Sequence, residues 1–203
     1  MKPQLEIRGS KGVNNIDAYL AKDEVAKATN VDVDGNGSLL LRGGYTRKMT
    51  GSYHSVFSHV NGTVLAVKVD SLVLFDVTAF TETVLLAGLA IGSRMSYAVV
   101  GDKTYYSNGQ VIGYVKAGIR YDLPDPGIQY KAKMPAGHIL VAYRARMYSA
   151  VGDTLYFSDA AAYERYTVSP ETQAFKKFAG WITLLIAMQD GLYVSDGLQT
   201  FFM

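Results

Sequence analysis

The chain has 203 residues, 49% apolar and 19% charged, with a formal net charge of +2. That balance excludes a chain too polar to build a core, and it shows no charge asymmetry of the kind that marks a nucleic-acid partner. Cysteine is absent, which excludes disulfides, thiolate nucleophiles and cysteine-based metal sites.

Residues 1–36 are irregular, with Pro3, Gly9, Gly12, Asn14 and Asn15 marking turns or an extended arm. Asp23 to Thr29 predicts a short helix capped by Asp23. Leu5, Ile7, Val13, Ile16, Tyr19, Leu20 and Val25 need cover that this segment cannot supply itself. The arm is therefore expected to dock on a neighbouring subunit or on the chain's other end. Asp32, Asp34 and Asn36 before Gly37 match the first half of a calcium loop. Gly43 stands where the bidentate Glu of that loop is required, so an Asx-rich turn is the better reading and no metal is expected.

From about residue 52 short apolar runs alternate with Gly, Asp and Asn, without a sustained helical period. Val56 to Val60, Val64 to Val69, Leu72 to Val77, Ala98 to Val100 and Leu155 to Phe157 read as strands. One pattern recurs: an Asp-containing turn, a strand bearing a tyrosine, then Ser followed by Asp or Asn. The sharp copies start at Asp102, Asp153 and Asp190, and they align Tyr105, Tyr156 and Tyr193, then Ser107, Ser158 and Ser195, then Asn108, Asp159 and Asp196. A fainter copy runs from Asp70 through Val73 to Phe75 and Asp76. The aligned positions 75, 107, 158 and 195 are separated by 32, 51 and 37 residues.

A strand repeat near that length is the signature of propeller blades. The expected fold is all-β: an irregular β-propeller of about four short blades over residues 37–203, behind an N-terminal arm over 1–36. An open arc of blades, or a sandwich or barrel of hairpins, is the alternative. The repeated tyrosines would lie between blades, and the Ser-Asp or Ser-Asn pairs would form Asx turns at their rims. Strand 38–48 is a candidate to close the last blade, which otherwise ends on Phe201, Phe202 and Met203.

No catalytic residue is assigned. His54 and His59 fall on opposite faces of a strand, and His138 stands alone. The repeated serines follow the fold period, lack a base at fixed spacing and lack a nucleophile elbow. Asp122 and Asp125 sit in a Pro-rich loop that reads as a rigid turn, and Trp181 reads as core. Arg42, Arg47 and Lys48, and separately Arg144 and Arg146, are the candidate weak phosphate contacts. Arg94, Arg120, Lys131 and Lys133 lie scattered between them, and the interspersed acids make a solvated surface the default reading. The longest apolar runs, about eight residues, fall short of the roughly 20 needed to span a membrane. Met1 to Ser10 has no apolar core of a signal peptide, which gives synthesis in a cytoplasm.

Lys11-Gly12-Val13-Asn14-Asn15, the stretch from Glu24 to Asp32, and Gly37-Ser38-Leu39 followed by Arg42-Gly43-Gly44-Tyr45 are three segments that together resemble the β-propeller structural proteins of tailed-bacteriophage virions, such as packaged-DNA stabilization and tail-hub proteins of short-tailed phages. Pro135 to His138 through Tyr143, Tyr148 to Asp159 and Tyr163 to Tyr166 are similar to their blade. The usual members are longer. The resemblance implies a non-enzymatic component of a head–tail connector or tail ring, without cofactor. Its implied partners are copies of itself, other virion proteins and, nonspecifically, the packaged DNA. A carbohydrate-binding propeller module, with tyrosines and Trp181 lining pockets, is the alternative from a different class.

Overall fold

The computed structural model describes residues 31–33, 39–41, 50–59, 62–169, 171–172 and 174–203. The chain divides into two compact units, Met1–Lys48 and Met49–Met203. In the first, β1 (Val31–Val33) pairs antiparallel with β2 (Leu39–Leu41). Leu39–Leu41, part of the strand expected to close the last blade, thus spends its described pairing on β1. The expected helix over 23–29, most of the calcium-like loop and the basic residues Arg42, Arg47 and Lys48 lie outside the described residues.

The second unit is all-β and contains four successive small antiparallel sheets. The first is β3 (Tyr53–Ser58), β4 (Thr63–Lys68), β5 (Ser71–Asp76) and β6 (Thr81–Leu86). The second is β7 (Ser96–Val100), β8 (Lys103–Ser107), β9 (Ile112–Lys116) and β10 (Ile119–Asp122). The third holds β12 (Ile139–Tyr143), β13 (Arg146–Val151), β14 (Thr154–Phe157) and β16 (Phe175–Lys177). The fourth holds three described strands, β17 (Leu184–Ala187), β18 (Leu192–Ser195) and β19 (Thr200–Phe202). β11 (Lys131–Lys133), from the linker before the third sheet, pairs with β15 (Arg165–Thr167), from an insertion between β14 and β16. None of the described sheets closes into a barrel or a propeller, so the fold is all-β with several small antiparallel sheets.

Local chemistry sets the hairpins. β4–β5, β7–β8 and β13–β14 turn through Val69-Asp70, Gly101-Asp102 and Gly152-Asp153, and the first residue of each pair has φ near +60° (58°, 58° and 61°). Two-residue turns of that hand match the right-handed strand twist. Gly113 on β9 is fixed by a close approach instead: a Cβ there would meet the Tyr106 hydroxyl at 2.5 Å and the Tyr121 carbonyl at 2.6 Å.

Three apolar cores fill the spaces between consecutive sheets. Leu65, Val67 and Leu72 of the first sheet meet Tyr106 and Val115 of the second. Ala98 and Tyr105 of the second meet Leu140 and Met147 of the third, with Leu123 and Met134 from the linker. Ala150 and Leu155 of the third meet Leu185, Leu192 and Val194 of the fourth, with Phe178 and Ile182 between them. Adjacent strand residues point to opposite faces, so Tyr105 and Tyr106 serve two different cores, and both are essentially inaccessible to solvent.

The repeat differs from the blade repeat expected. Its hairpin falls on the second and third strands of the first and third sheets, but on the first and second strands of the second and fourth. Second and third strands run antiparallel, so the aligned tyrosines alternate in direction. Tyr105 faces forward and Tyr156 faces back, and both pack on the core between the second and third sheets. Like strands recur from position 75 to 158 and from 107 to 195, separations of 83 and 88 residues. The uneven spacing of 32, 51 and 37 is therefore the alternation of a hairpin within a two-sheet repeat.

Candidate functional site

The repeated polar positions are spent on structure. Asn108 Oδ1 accepts from the amides of Gln110 (3.0 Å) and Val111 (2.9 Å). Asp196 Oδ1 accepts from Leu198 and Gln199 (3.1 and 3.0 Å), and Asp76 Oδ1 from Thr78 and Ala79 (2.7 and 2.9 Å). These are the expected Asx turns. Asp159 departs from the pattern. Its Oδ1 accepts from Thr167 Oγ1 (2.8 Å), and Oδ2 lies 2.7 Å from Lys131 Nζ and 3.6 Å from Arg165 Nε. Burial pushes its carboxyl up, but Lys131 and Thr167 outweigh that and hold it below its ordinary value.

Each repeated serine is also engaged. Ser107 Oγ donates to the Gly137 carbonyl at 2.6 Å. Ser158 Oγ accepts the Met147 amide and donates to the Asp159 carbonyl, both at 2.9 Å. Ser195 Oγ donates to the Gln199 carbonyl at 3.1 Å. The tyrosine hydroxyls diverge. Tyr105 donates to Glu164 Oε1 (2.6 Å), which also takes Lys103 Nζ (2.7 Å), whereas Tyr193 donates to Asp190 (2.9 Å). Burial and then the Glu164 contact push the Tyr105 phenol up.

Of the basic candidates, Arg144 and Arg146 come together on the β12–β13 hairpin. Its turn residues Arg144 and Ala145 both have positive φ, 42° and 59°, without the glycine or asparagine such a turn favours. Arg144 lies over the Tyr143 ring at 5.1 Å. Arg146 donates to the Ser158 carbonyl at 2.5 Å and lies over Phe157 at 5.7 Å. Arg120 and Lys131 are ion-paired, with Asp122 and Asp159 respectively. Asp125 accepts the Gly127 amide at 3.2 Å.

The histidines are dispersed. His59 is buried, bonded to Thr104 Oγ1 at 2.7 Å, and burial pushes its imidazole below the ordinary value. His138 Nε2 donates to the Ile182 carbonyl at 2.7 Å, and its ring lies tilted at 35° against Trp181, ring centres 4.9 Å apart. Trp181 is 62% exposed, contrary to its reading as core. It precedes β17 and lies on the surface against His138 because Ile182, the next residue, takes the buried position. Among the described residues no three acidic or histidine side chains are grouped to hold a metal ion. No helix among them is long and apolar enough to cross a membrane.

Two clefts are formed by described residues. One, of about 480 Å³, is lined by His54, Ser55, Gly92, Arg94 and Met95. Ser55 sits at a β-bulge with φ of 50°, and its Oγ accepts the Met95 amide (2.9 Å) and contacts His54 Nδ1 (3.0 Å). Its hydroxyl is thus held between an amide and an imidazole, and among the described residues no third group orients that imidazole. The other cleft, of about 240 Å³, is lined by Tyr156, Tyr166, Thr167, Val168 and Phe175. It lies where the insertion after β14 folds back beside the third sheet. Sequence reasoning placed Tyr156 in the repeat but gave no role to Phe175. Spacing gave no signal of the insertion, because the second and third sharp copies on either side of it lie 37 residues apart, against 51 for the first and second.

No protein-family model and no curated protein sequence matches the chain. Solved structures that resemble it include BamB from Moraxella catarrhalis, at 14% identity and a TM-score of 0.44 over 72% of this chain and 40% of that one. The extracellular domain of the putative hybrid two-component system BT4673 from B. thetaiotaomicron matches at 8% identity and a TM-score of 0.50, over 83% of this chain. A chain of the nidogen/laminin complex matches at 11% identity and a TM-score of 0.39, over 82% of this chain and 80% of that one. This chain spans 40% of the matched BamB chain and 21% of the BT4673 chain. The BT4673 likeness bears on the fold alone.

Proposed function

We propose that the protein is a non-catalytic structural component of a tailed-phage virion, built as an open arc of propeller-like blades and assembling with copies of itself or other virion proteins. The observation that supports assembly is the outer face of the fourth sheet. Leu184, Ile186, Tyr193, Ser195, Thr200 and Phe202 share that face by register, and none of them is charged. Leu184, Ile186 and Phe202 are exposed. The corresponding face of the second sheet, which carries Tyr105, is covered by the third sheet. A face of this kind gains stability when another surface covers it, at roughly 25 cal/mol per Å² of apolar area.

The phage setting is supported by the sequence resemblance of the N-terminal motifs and of the stretch from Pro135 to Tyr166. In that setting Arg144 and Arg146, on one hairpin, are the described candidates for nonspecific phosphate contact, and such contact weakens steeply with salt. The test is co-sedimentation of the protein with itself and with tail or connector particles, using Ile186→Lys, whose side chain is already partly in solvent. The expected result is a folded protein that no longer associates. Association and particle incorporation equal to the unsubstituted chain reject the assembly reading. Turnover of a hydrolase or glycosidase substrate that disappears in Asp122→Ala rejects the non-catalytic one.

A further inference from the structure

The insertion between β14 and β16 is the largest departure from the repeat, and it is not needed to complete the third sheet. In the second sheet β9 and β10 are joined by the two residues Ala117 and Gly118, whereas residues 158–174 separate β14 from β16. Connections of that length are uncommon in a compact domain. This one is anchored from both sides. Glu164 takes Tyr105 and Lys103 of the second sheet, and β15 pairs with β11. The anchoring holds Tyr166 against β14, and among the described residues the cleft between Tyr156, Tyr166 and Phe175 is open.

We infer that this cleft binds a single pyranose ring of a saccharide, a role that extends the structural function and does not depend on it. Three rings surround the space. Tyr156 meets Tyr166 edge-on, with centres 5.4 Å apart at 79°, and Phe175 at 5.7 Å and 47°. Such walls offer aromatic faces to the C–H groups of a sugar. The polar groups suit its hydroxyls: neither the Tyr156 nor the Tyr166 hydroxyl has a protein partner among the described residues, and neither is a buried orphan. Both remain free to donate and accept. The volume of about 240 Å³ is below the roughly 300–1,000 Å³ of sites for drug-sized ligands, which limits the ligand to about one ring. Charge argues against the other ligand that aromatic walls attract, a quaternary ammonium. Lys131 Nζ lies 2.6 Å from the lining Thr167 Oγ1, and the nearby carboxylate, Asp159, is already shared between Lys131 and Arg165. Two cations against one anion leave a cationic ligand opposed.

The test is a titration of the isotope-labelled full chain, followed by NMR, with methyl glucoside, methyl galactoside, methyl mannoside and N-acetylglucosamine, and with tetramethylammonium chloride as the competing probe. At least one glycoside should bind saturably in the millimolar range and shift the resonances of Tyr156, Tyr166 and Phe175. Phe175→Ala, whose ring is partly exposed, should weaken that binding by about tenfold. Tyr166→Phe, which keeps the packing and removes one hydroxyl, should weaken it severalfold with an unchanged thermal midpoint. Absence of binding by all four glycosides overturns the inference. So does binding that neither variant weakens, or a cleft that takes tetramethylammonium and no glycoside.

Discussion

The outer faces of the first and fourth sheets occupy the two ends of the same stack and are finished differently. On the first sheet, Ala66 and Val73 point away from the second sheet yet are almost wholly buried. Lys68, Glu82 and Tyr53 share their face. Lys68 Nζ lies 2.9 Å from Glu82 Oε1, the Tyr53 hydroxyl donates to Glu82 Oε2 at 2.7 Å, and Lys68 lies over the Tyr53 ring at 5.6 Å. Lys68 stands opposite Ser71 and Glu82 opposite Phe75, to either side of Val73 in the register, so their ion pair spans that part of the face, while Val84, opposite Val73, is exposed. Among the described residues the fourth sheet has no such charged group: Tyr193 and Phe202 pack ring to ring at 5.2 Å, beside exposed Ile186. A sheet face can be closed by its own snorkelling charges or by another surface. Among the described residues, the first face carries such charges and the fourth does not.

The largest effect that tests this contrast is on stability. Val73→Ala on the first face should lower the unfolding free energy by about 1–3 kcal/mol, whereas Ile186→Ala should change it by less than about 0.5 kcal/mol. Urea denaturation at a concentration where the chain is monomeric measures both. Equal costs would mean that the fourth face is already covered within the chain.

The next effect is a pH dependence. The Lys68 and then the Tyr53 hydrogen bonds hold the Glu82 carboxyl below its ordinary value. A depressed acid contributes stability that is fully present above the unfolded value, about 4.3, and is lost as pH falls through the folded value. Amide exchange on β5 should therefore accelerate as pH drops below about 4.3, after correction for intrinsic exchange, and Glu82→Gln should remove that step. Retention of the step in the variant would assign it to other carboxylates, Asp159 and Glu164 among them, both of which are also held low.

The smallest effect is Tyr193→Phe. It removes a surface hydroxyl whose partner is Asp190 and should leave the thermal midpoint of the monomer within error, with a stability change under about 0.5 kcal/mol. A larger loss would show that the fourth face is organised by that bond and not by its rings.

The cleft was less legible than the fold. Tyr156 could be found as a repeat member and Tyr166 as part of a tyrosine-rich stretch. Phe175 lies 19 positions beyond Tyr156, and nothing local joins the two. Their meeting follows from β16 pairing with β14 across the insertion, with Tyr156 opposite Phe175. Trp181 was misread because an apolar residue type does not say which of two neighbours, Trp181 or Ile182, faces the core.

What the sequence determined by itself was local. Turn residues such as Gly101-Asp102 and Gly152-Asp153, and the side chains of Asn108 and Asp196, act within two or three residues, so the hairpins and Asx turns could be placed from their own chemistry. The short apolar runs Val64 to Val69, Leu72 to Val77 and Leu155 to Phe157, bounded by turn residues, likewise marked β4, β5 and β14 as strands. The rank of each hairpin within its sheet was decided by tertiary structure. A strand pattern is the same whether the strand is second or third, and only the partner on its far side distinguishes them. That partner set the opposed directions of Tyr105 and Tyr156, the diversion of Asp159 from a turn to Lys131, and the difference between the first and fourth faces. Each of these depends on contacts between residues far apart in the chain, where the physical constraint is packing and charge compensation rather than backbone propensity.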